Sequence, residues 1–522
     1  MVVPIWHFIV FDSSKDLNKL TLNFAPKLLH LSLLGICGVI LYSYGTHAHY
    51  NEWVAAKIYP ALALSQSVDL FQKESGPFIL TIYGPGSPIF YLPTRLGHSP
   101  EQCIWIAYTL NLLVLASAFH VVFCKQIENS RFSPNLCMGF TLVFLLANDQ
   151  TTFTLFQVHH DMPVFAYLLL GSIFLLGKKP TNAIYRLWLG SFFLWMACWT
   201  KIVALPWLLL PFLLLLISKK RSEKSWLSTG LALIGTGLIS FLFFAAFFGS
   251  SDLWFHLFES TNSYPWRSCN SLFGEGEIAL PANSFLSKAI TLLRISLLYA
   301  VEYWWLVLCC FIIGLHNLKS KESNILLWLV LCYFLALPTC LSALAKFGGV
   351  ANSLVFAHAP AFAALLLQAT KLIDRLITSE KAKICISFII AIIPALVEIR
   401  VAASIRKDPS QSPLQLGYEY LLENPDNPVY FALAPLPNYL ATGKIWSSGE
   451  ALTYATMMKP DSLPSRAGME GPKEIPLVAF GRPPYSISFF QKKFHLAPAP
   501  SPDKLQSWTI YRATPKTEVD SH

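Results

Sequence analysis

Eleven apolar runs punctuate the chain and decide most of what it can fold into. They fall at 28–45, 103–123, 135–148, 162–177, 184–199, 202–218, 226–249, 289–316, 324–341, 354–370 and 383–399. A helix needs roughly 20 apolar residues to cross a bilayer. Several runs are shorter, and neighbouring polar residues complete them. Only 13% of the residues are charged and 54% are hydrophobic, whereas a soluble domain carries about 25% charged residues. The sequence therefore predicts an α-helical polytopic membrane protein, with about 11–13 transmembrane helices.

The basic residues test that assignment. With the N-terminus inside, the inner connections hold Lys125 and Arg131, then Lys178, Lys179 and Arg186, then Lys219, Lys220, Arg221 and Lys224. Lys319 and Lys321 follow, and then Lys371, Arg375, Lys381 and Lys383. The short outer connections carry almost none, with Lys201 and Lys346 as exceptions. This asymmetry fixes orientation and explains the net charge of +9 without nucleic acid. Residues 1–27 lack the apolar core and cleavage site of a secretory signal, so the first span is expected to be retained. The eleven cysteines are scattered without a CxxC pair, which excludes a zinc ribbon or a disulfide framework.

Two outer segments are long. The first, 45–102, mixes apolar and polar residues from Tyr59 to Gln72, and that stretch is expected to lie as an amphipathic helix at the interface. Pro85, Pro88 and Pro93 then predict a bent segment without regular helix. The second runs from Ser250 to Ser287. After about Lys407, proline and charge rise and short strand-like pieces appear in "NPVYFALA", "EIPLVAFG" and "SWTIYRA". These predict a small outer-face α/β domain. The expected organisation is a multi-pass transmembrane domain at 1–406 and a soluble α/β domain at 407–522.

Ionisable groups near a bilayer are costly and mark function. The outer connections supply Glu52 in "HAHYNEW", Asp161 in "HHDMP", Lys201 in "CWTKIVALP", Arg267 in "SYPWRSCN", and Lys346 and Asn352 in "LAKFGGVANS". A carboxylate can take a proton from an acceptor, and cations can hold a phosphate. Asp161 at a helix start is also favoured by the helix dipole, and Lys201 is placed to snorkel. His159 and His160 are adjacent, a spacing that does not suit two ligands to one metal.

In order and in sidedness, these motifs resemble the GT-C superfamily of polyprenyl-phosphate-sugar-dependent glycosyltransferases. The resemblance is to the branch with protein O-mannosyltransferases and aminoarabinose transferases. An acidic residue soon after the first span (Glu52), the segment "YGPGSPIFY" after Tyr83, "HHDMP" at the outer start of a span, and the turns at Lys201 and Lys346 carry it. It covers essentially the whole chain. Asn51 stands where that branch often has a second acid, His160 where Arg is usual, and glycine where one proline of the "YPPL"-like segment would be.

The resemblance implies an inverting transfer of sugar from a polyprenyl-phosphate carrier to a glycan, lipid or protein acceptor at the outer face. Glu52 and Asp161 would be catalytic. Lys201, Lys346, Arg267, Tyr83, Asn352 and His160 would bind substrate and phosphate. A divalent metal is the one cofactor it leaves open. The expected setting is a bacterial inner membrane, with the N-terminus cytoplasmic and the C-terminal domain periplasmic. Two other readings are a transporter or flippase of lipid-linked sugars and a catalytically inactive scaffold of the same fold. The near absence of ionisable groups from the inner spans, Glu302 apart, argues against the transporter.

Overall fold

The structure, a computed structural model, describes residues 38–71, 77–79, 83–119, 158–176, 183–217, 223–259, 284–320, 324–346, 351–379, 399–433, 435–449, 477–481 and 494–516. It also describes isolated positions between these, among them Trp266, Arg267 and Leu272. The apolar run at 135–148 lies outside the described residues, and the runs at 28–45 and 383–399 are described in part.

Where the apolar runs are described, they are helical. After helical backbone at 38–48 come α1 (Glu52–Ser65), α2 (Gly86–Tyr91), α3 (Pro100–Phe119), α4 (Asp161–Leu175), α5 (Ala183–Thr200), α6 (Leu210–Ile217) and α7 (Glu223–Phe248). The bundle continues with α8 (Phe285–Ser320), kinked at Tyr303, then α9 (Asn324–Leu344) and α10 (Val355–Leu376). Among the described residues, four helices are long and apolar enough to cross a membrane, at 226–248, 285–318, 325–344 and 355–373.

A helix satisfies its own backbone, which lipid cannot, and α7 shows the side-chain consequence. Leu227, Leu231, Ile234, Leu238 and Leu242 are exposed, while Thr229, Thr236 and Ser240 are buried. The buried hydroxyls bond within the bundle: Thr236 Oγ1 donates to Ala232 O at 2.6 Å, and Trp199 Nε1 donates to Ser240 Oγ at 2.8 Å. Apolar side chains facing outward and small polar ones facing inward are the pattern of a lipid-facing helix.

Three local expectations change. First, the helix of the first long segment is buried within the protein and presents no apolar face to an interface. It starts at Glu52, and every residue from Val54 to Ala63 is buried. The C-terminal domain covers the side that lipid or water would otherwise take. Second, the proline-rich segment is helical, as α2 followed by a 3-10 turn at Leu92–Leu96. Pro88 and Pro93 fall in the first turns of these short elements, where an N–H has no helical partner to lose. Third, the run at 202–218 is a 3-10 stretch, Ile202–Leu209, followed by α6. Pro206 inside it removes a helical donor.

The C-terminal region folds as the α/β unit expected. α11 (Pro413–Glu423) and α12 (Leu436–Thr442) pack with β1 (Val429–Phe431), β2 (Leu477–Phe480), β3 (Phe494–Pro498) and β4 (Thr509–Pro515). The sheet order is β1-β2-β4-β3; β1 and β2 are parallel and the other pairs antiparallel. One core packs Val429, Phe431, Ala479 and Ile510 with Val54, Ala55, Ile58 and Leu62 of α1. A second takes Phe78 of the first outer segment in among Tyr430, Trp446, Val478 and Phe480. The segment that carries α1 and Phe78 is thereby built into the C-terminal unit.

Candidate functional site

α4 and α5 are antiparallel neighbours, so the first residue of one lies beside the end of the other. Gly171 and Gly190 face each other across the pair, and a β-carbon on Gly171 would stand 3.2 Å from Gly190 O. Small residues at this contact let the backbones approach. The approach sets Asp161 against Lys201: Nζ donates to Oδ1 at 2.7 Å, with Asp161 fully buried. His159 Nδ1 lies 2.8 Å from the other carboxylate oxygen.

Tyr83 closes over this pair. Its ring centroid is 4.0 Å from that of His160 and 5.8 Å from Lys201 Nζ. Lys57 Nζ approaches the same ring at 5.2 Å. Tyr83 is therefore flanked by two ammonium groups over its π face, and Phe356 lies 5.1 Å from Lys201 Nζ. His160 Nδ1 meets Ser87 Oγ at 2.5 Å. His160 Nε2 is buried without a hydrogen-bond partner among the described residues. Burial, reinforced by Lys57 and other neighbours, pushes His160 well below the ordinary imidazole range. Burial also lowers His159, against the pull of Asp161.

The glycines in "YGPGSP" explain how Tyr83 reaches this position. Gly84 N donates to Thr200 O at 3.1 Å, and Tyr167 Oη donates to Gly86 O at 3.0 Å. A β-carbon at Gly84 would overlap the Trp199 carbonyl, and one at Gly86 would overlap Thr200 Oγ1. Both glycines press the segment onto the last turn of α5, immediately before Lys201.

Glu52 belongs to a different face of the same neighbourhood. It is the first residue of α1, and Asn51 caps that helix, with Oδ1 accepting from Trp53 N at 3.0 Å. The capping role accounts for a short polar side chain at 51. Lys57 follows five residues later, roughly 140° around the helix at about 100° per residue. Glu52 thus faces the outer domain while Lys57 faces Tyr83. Burial raises the Glu52 carboxyl to about 7.

Lys346 and Arg267 form a second group. Lys346 follows the end of α9 and pairs with Trp266 in an isolated antiparallel bridge, and Arg267 N donates to Ala345 O at 3.1 Å. Arg267 is 1% exposed and its Nη2 donates to Leu272 O at 2.9 Å, so the guanidinium braces its own loop. Burial, with Lys288 nearby, lowers Lys346 to about 8. Asn352 lies in the 3-10 turn Ala351–Leu354 that opens α10.

Of the eight residues singled out in the sequence, Tyr83, His160, Asp161 and Lys201 come together. Arg267 and Lys346 meet each other. Glu52 shares its helix with Lys57 of the first group but faces the C-terminal domain. Lys57, His159 and Ser87 complete the cluster. Lys57 had a signal, a lone cation inside "VAAKIYPALAL", and Ser87 had none. A divalent metal does not fit the cluster: both Asp161 oxygens are already approached, by Lys201 and His159. Among the described residues, no group of three His, Cys, Asp or Glu is placed to hold a metal.

No protein-family profile matches the chain, and no curated protein does. Among solved structures, ArnT from Cupriavidus metallidurans, solved bound to undecaprenyl phosphate, is similar with a TM-score of 0.52 at 12% identity. The match covers 93% of this chain and 97% of that one. The chain therefore shares the overall fold of that protein.

Proposed function

We propose that this protein is an integral-membrane glycosyltransferase that moves a sugar from a polyprenyl-phosphate carrier to an acceptor at the outer face of the membrane. The observation that carries this reading is the likeness in fold, along nearly the whole chain, to a protein solved with undecaprenyl phosphate. The charged cluster at the outer ends of α4 and α5 supports it. So does Glu52, a carboxyl whose proton affinity suits a base near neutral pH.

In this reading Glu52 accepts the proton of the acceptor O–H or N–H. The acceptor atom forms a bond to the anomeric carbon from the face opposite the phosphate. The carbon–oxygen bond to the carrier breaks, and its electron pair leaves on polyprenyl phosphate. A single displacement inverts the anomeric centre. Lys201 uses one of its three N–H donors on Asp161, and the others serve the leaving phosphate together with Lys57, which approaches the same Tyr83 ring; Lys346 is a further cation for the carrier. Asp161 fixes Lys201 in place. His160 Nε2 is a buried polar contact for the donor. The C-terminal domain is periplasmic in this arrangement, and the acceptor is a glycan, lipid or protein that reaches it.

The test is transfer by the purified protein in nanodiscs, supplied with synthetic polyprenyl-phosphate sugars and followed by release of polyprenyl phosphate. Glu52→Gln is expected to reduce turnover by at least 100-fold, as loss of a general base does. An unchanged rate in folded Glu52→Gln protein overturns the assignment. Movement of intact sugar lipid across the bilayer without bond cleavage points to the flippase instead. Mass spectrometry of glycolipids and glycoproteins lost on deletion identifies the sugar and the acceptor.

A further inference from the structure

Glu52 and Tyr59 are seven residues apart, two turns of α1, and so share one face of the helix. That face meets the C-terminal domain. Tyr59 Oη donates to Trp446 O at 2.7 Å and accepts from Trp446 N at 2.8 Å. Two turns earlier, Glu52 meets Gly481, the residue that follows β2. A β-carbon on Gly481 would overlap all three atoms of the Glu52 carboxylate. Gly481 is buried, and the three atoms nearest the position of a β-carbon there all belong to this carboxylate.

We propose that the C-terminal domain forms one wall of the Glu52 site, with Gly481 as a positioning residue that lets the wall pack directly against the carboxylate and limits its contact with water. A sheet strand ends there, so the wall is backed by the β2 ladder to β1 and β4. The seam beside it is closed at several points. Phe78 N donates to Ser447 Oγ at 2.9 Å and Phe78 O accepts from Ser448 N at 2.6 Å. Tyr50 Oη donates to Asp408 O at 2.8 Å, and Gln66 Nε2 donates to Tyr439 Oη at 3.1 Å. These bonds hold both ends of α1 against the domain. A cover that removes part of the surrounding water makes the charged form of a carboxyl more costly. The absence of a side chain at 481 is what lets that cover come within contact of the acid.

The enzymatic meaning of this wall rests on the reading of Glu52 as the base that activates the acceptor. The wall itself is tested without turnover. Dicyclohexylcarbodiimide modifies protonated carboxyls in apolar surroundings, and peptide mass spectrometry reads its extent at Glu52 in the full-length protein across pH. The wild-type midpoint is expected near 7. Gly481→Ala displaces the carboxylate towards water, and the midpoint falls by about one unit or more, towards the ordinary glutamate value. Tyr59→Phe, which removes both hydrogen bonds to Trp446 and adds no bulk, moves it the same way and serves where Gly481→Ala does not assemble.

Resistance of the outer domain to limited proteolysis reports that the fold is kept. A wild-type midpoint at the ordinary glutamate value overturns the inference. An unchanged midpoint in folded variants also overturns it. Transfer assays add a second arm. Glu52→Asp withdraws the carboxylate by one methylene, so the Gly481→Ala/Glu52→Asp pair is expected to lose less activity than the product of the two single losses. Wild-type protein that shows the raised midpoint but transfers no sugar sinks the glycosyltransferase reading and leaves the wall standing. Transfer with an ordinary midpoint does the reverse.

Discussion

Lys201 Nζ donates to Asp161 Oδ1 at 2.7 Å across the junction of two antiparallel helices, and the carboxylate is fully buried. A pair in this setting is costly to desolvate, and removing one partner strands the other. Asp161→Asn and Lys201→Met are each expected to destabilise the protein by about 3–5 kcal/mol. The double substitution recovers much of that loss, because neither charge is left alone. Thermal unfolding of purified protein in one detergent measures all three. Single losses that simply add in the double variant would refute a direct pairing.

Two groups set the pH range of transfer. Glu52 must be deprotonated to accept a proton, and burial raises it to about 7, so activity rises as pH passes upward through that value. Lys346 must be charged to help hold phosphate, and burial with Lys288 nearby lowers it to about 8, so activity falls as pH passes above it. The dependence of kcat/KM on pH is a narrow bell. Lys346→Arg keeps its charge at every accessible pH and is expected to extend the alkaline limb. A flat profile between about pH 6 and about pH 9 would exclude both assignments.

Lys57 is a cation on α1 whose ammonium lies over Trp53 at 5.3 Å and over Tyr83 at 5.2 Å. Those contacts hold it in place beside Lys201. Lys57→Met keeps most of the volume and removes the charge. The expected result is a weaker hold on the carrier, with KM raised about tenfold, or about 1.4 kcal/mol, and a smaller change in kcat. Steady-state kinetics with varied carrier concentration decide it; a loss confined to kcat would place Lys57 in the chemical step instead.

Why some of this was visible in the sequence and some was not follows from which costs are local. Asp161 and Lys201 stood out because a charge beside an apolar run needs a reason. The short connection between their helices already made them neighbours. Tyr83 and His160 were flagged through the family resemblance, and the structure brings their rings together. The environment of α1 was misjudged because residues 52–65 carry no sign of what covers them. Their cover comes from Leu414, Phe431, Ala479 and Trp508, hundreds of residues later. The partner of Glu52 was invisible for the same reason. A lone glycine after a short strand has no pattern that names the acid it touches.

The two glycines beside Tyr83 bear on the site as a whole. In this segment glycine replaces one proline that the resemblance leads one to expect, and Gly84 and Gly86 both lie against backbone or side-chain atoms of the last turn of α5. Gly84→Ala puts a β-carbon into the Trp199 carbonyl, so either the segment lifts or α5 shifts. The packing cost is expected at about 1–3 kcal/mol, visible as a lower unfolding temperature. Because Tyr83 precedes Gly84 and Lys201 follows Thr200, the same shift separates the ring from the ammonium. Transfer activity should therefore fall more than the stability loss alone accounts for, when compared with a variant of equal unfolding temperature. Gly230→Ala on the lipid-facing helix α7, where a β-carbon meets nothing within 4 Å, is expected to change neither quantity. If Gly84→Ala retained full activity at reduced stability, the segment would be a packing element and Tyr83 would not be held by it.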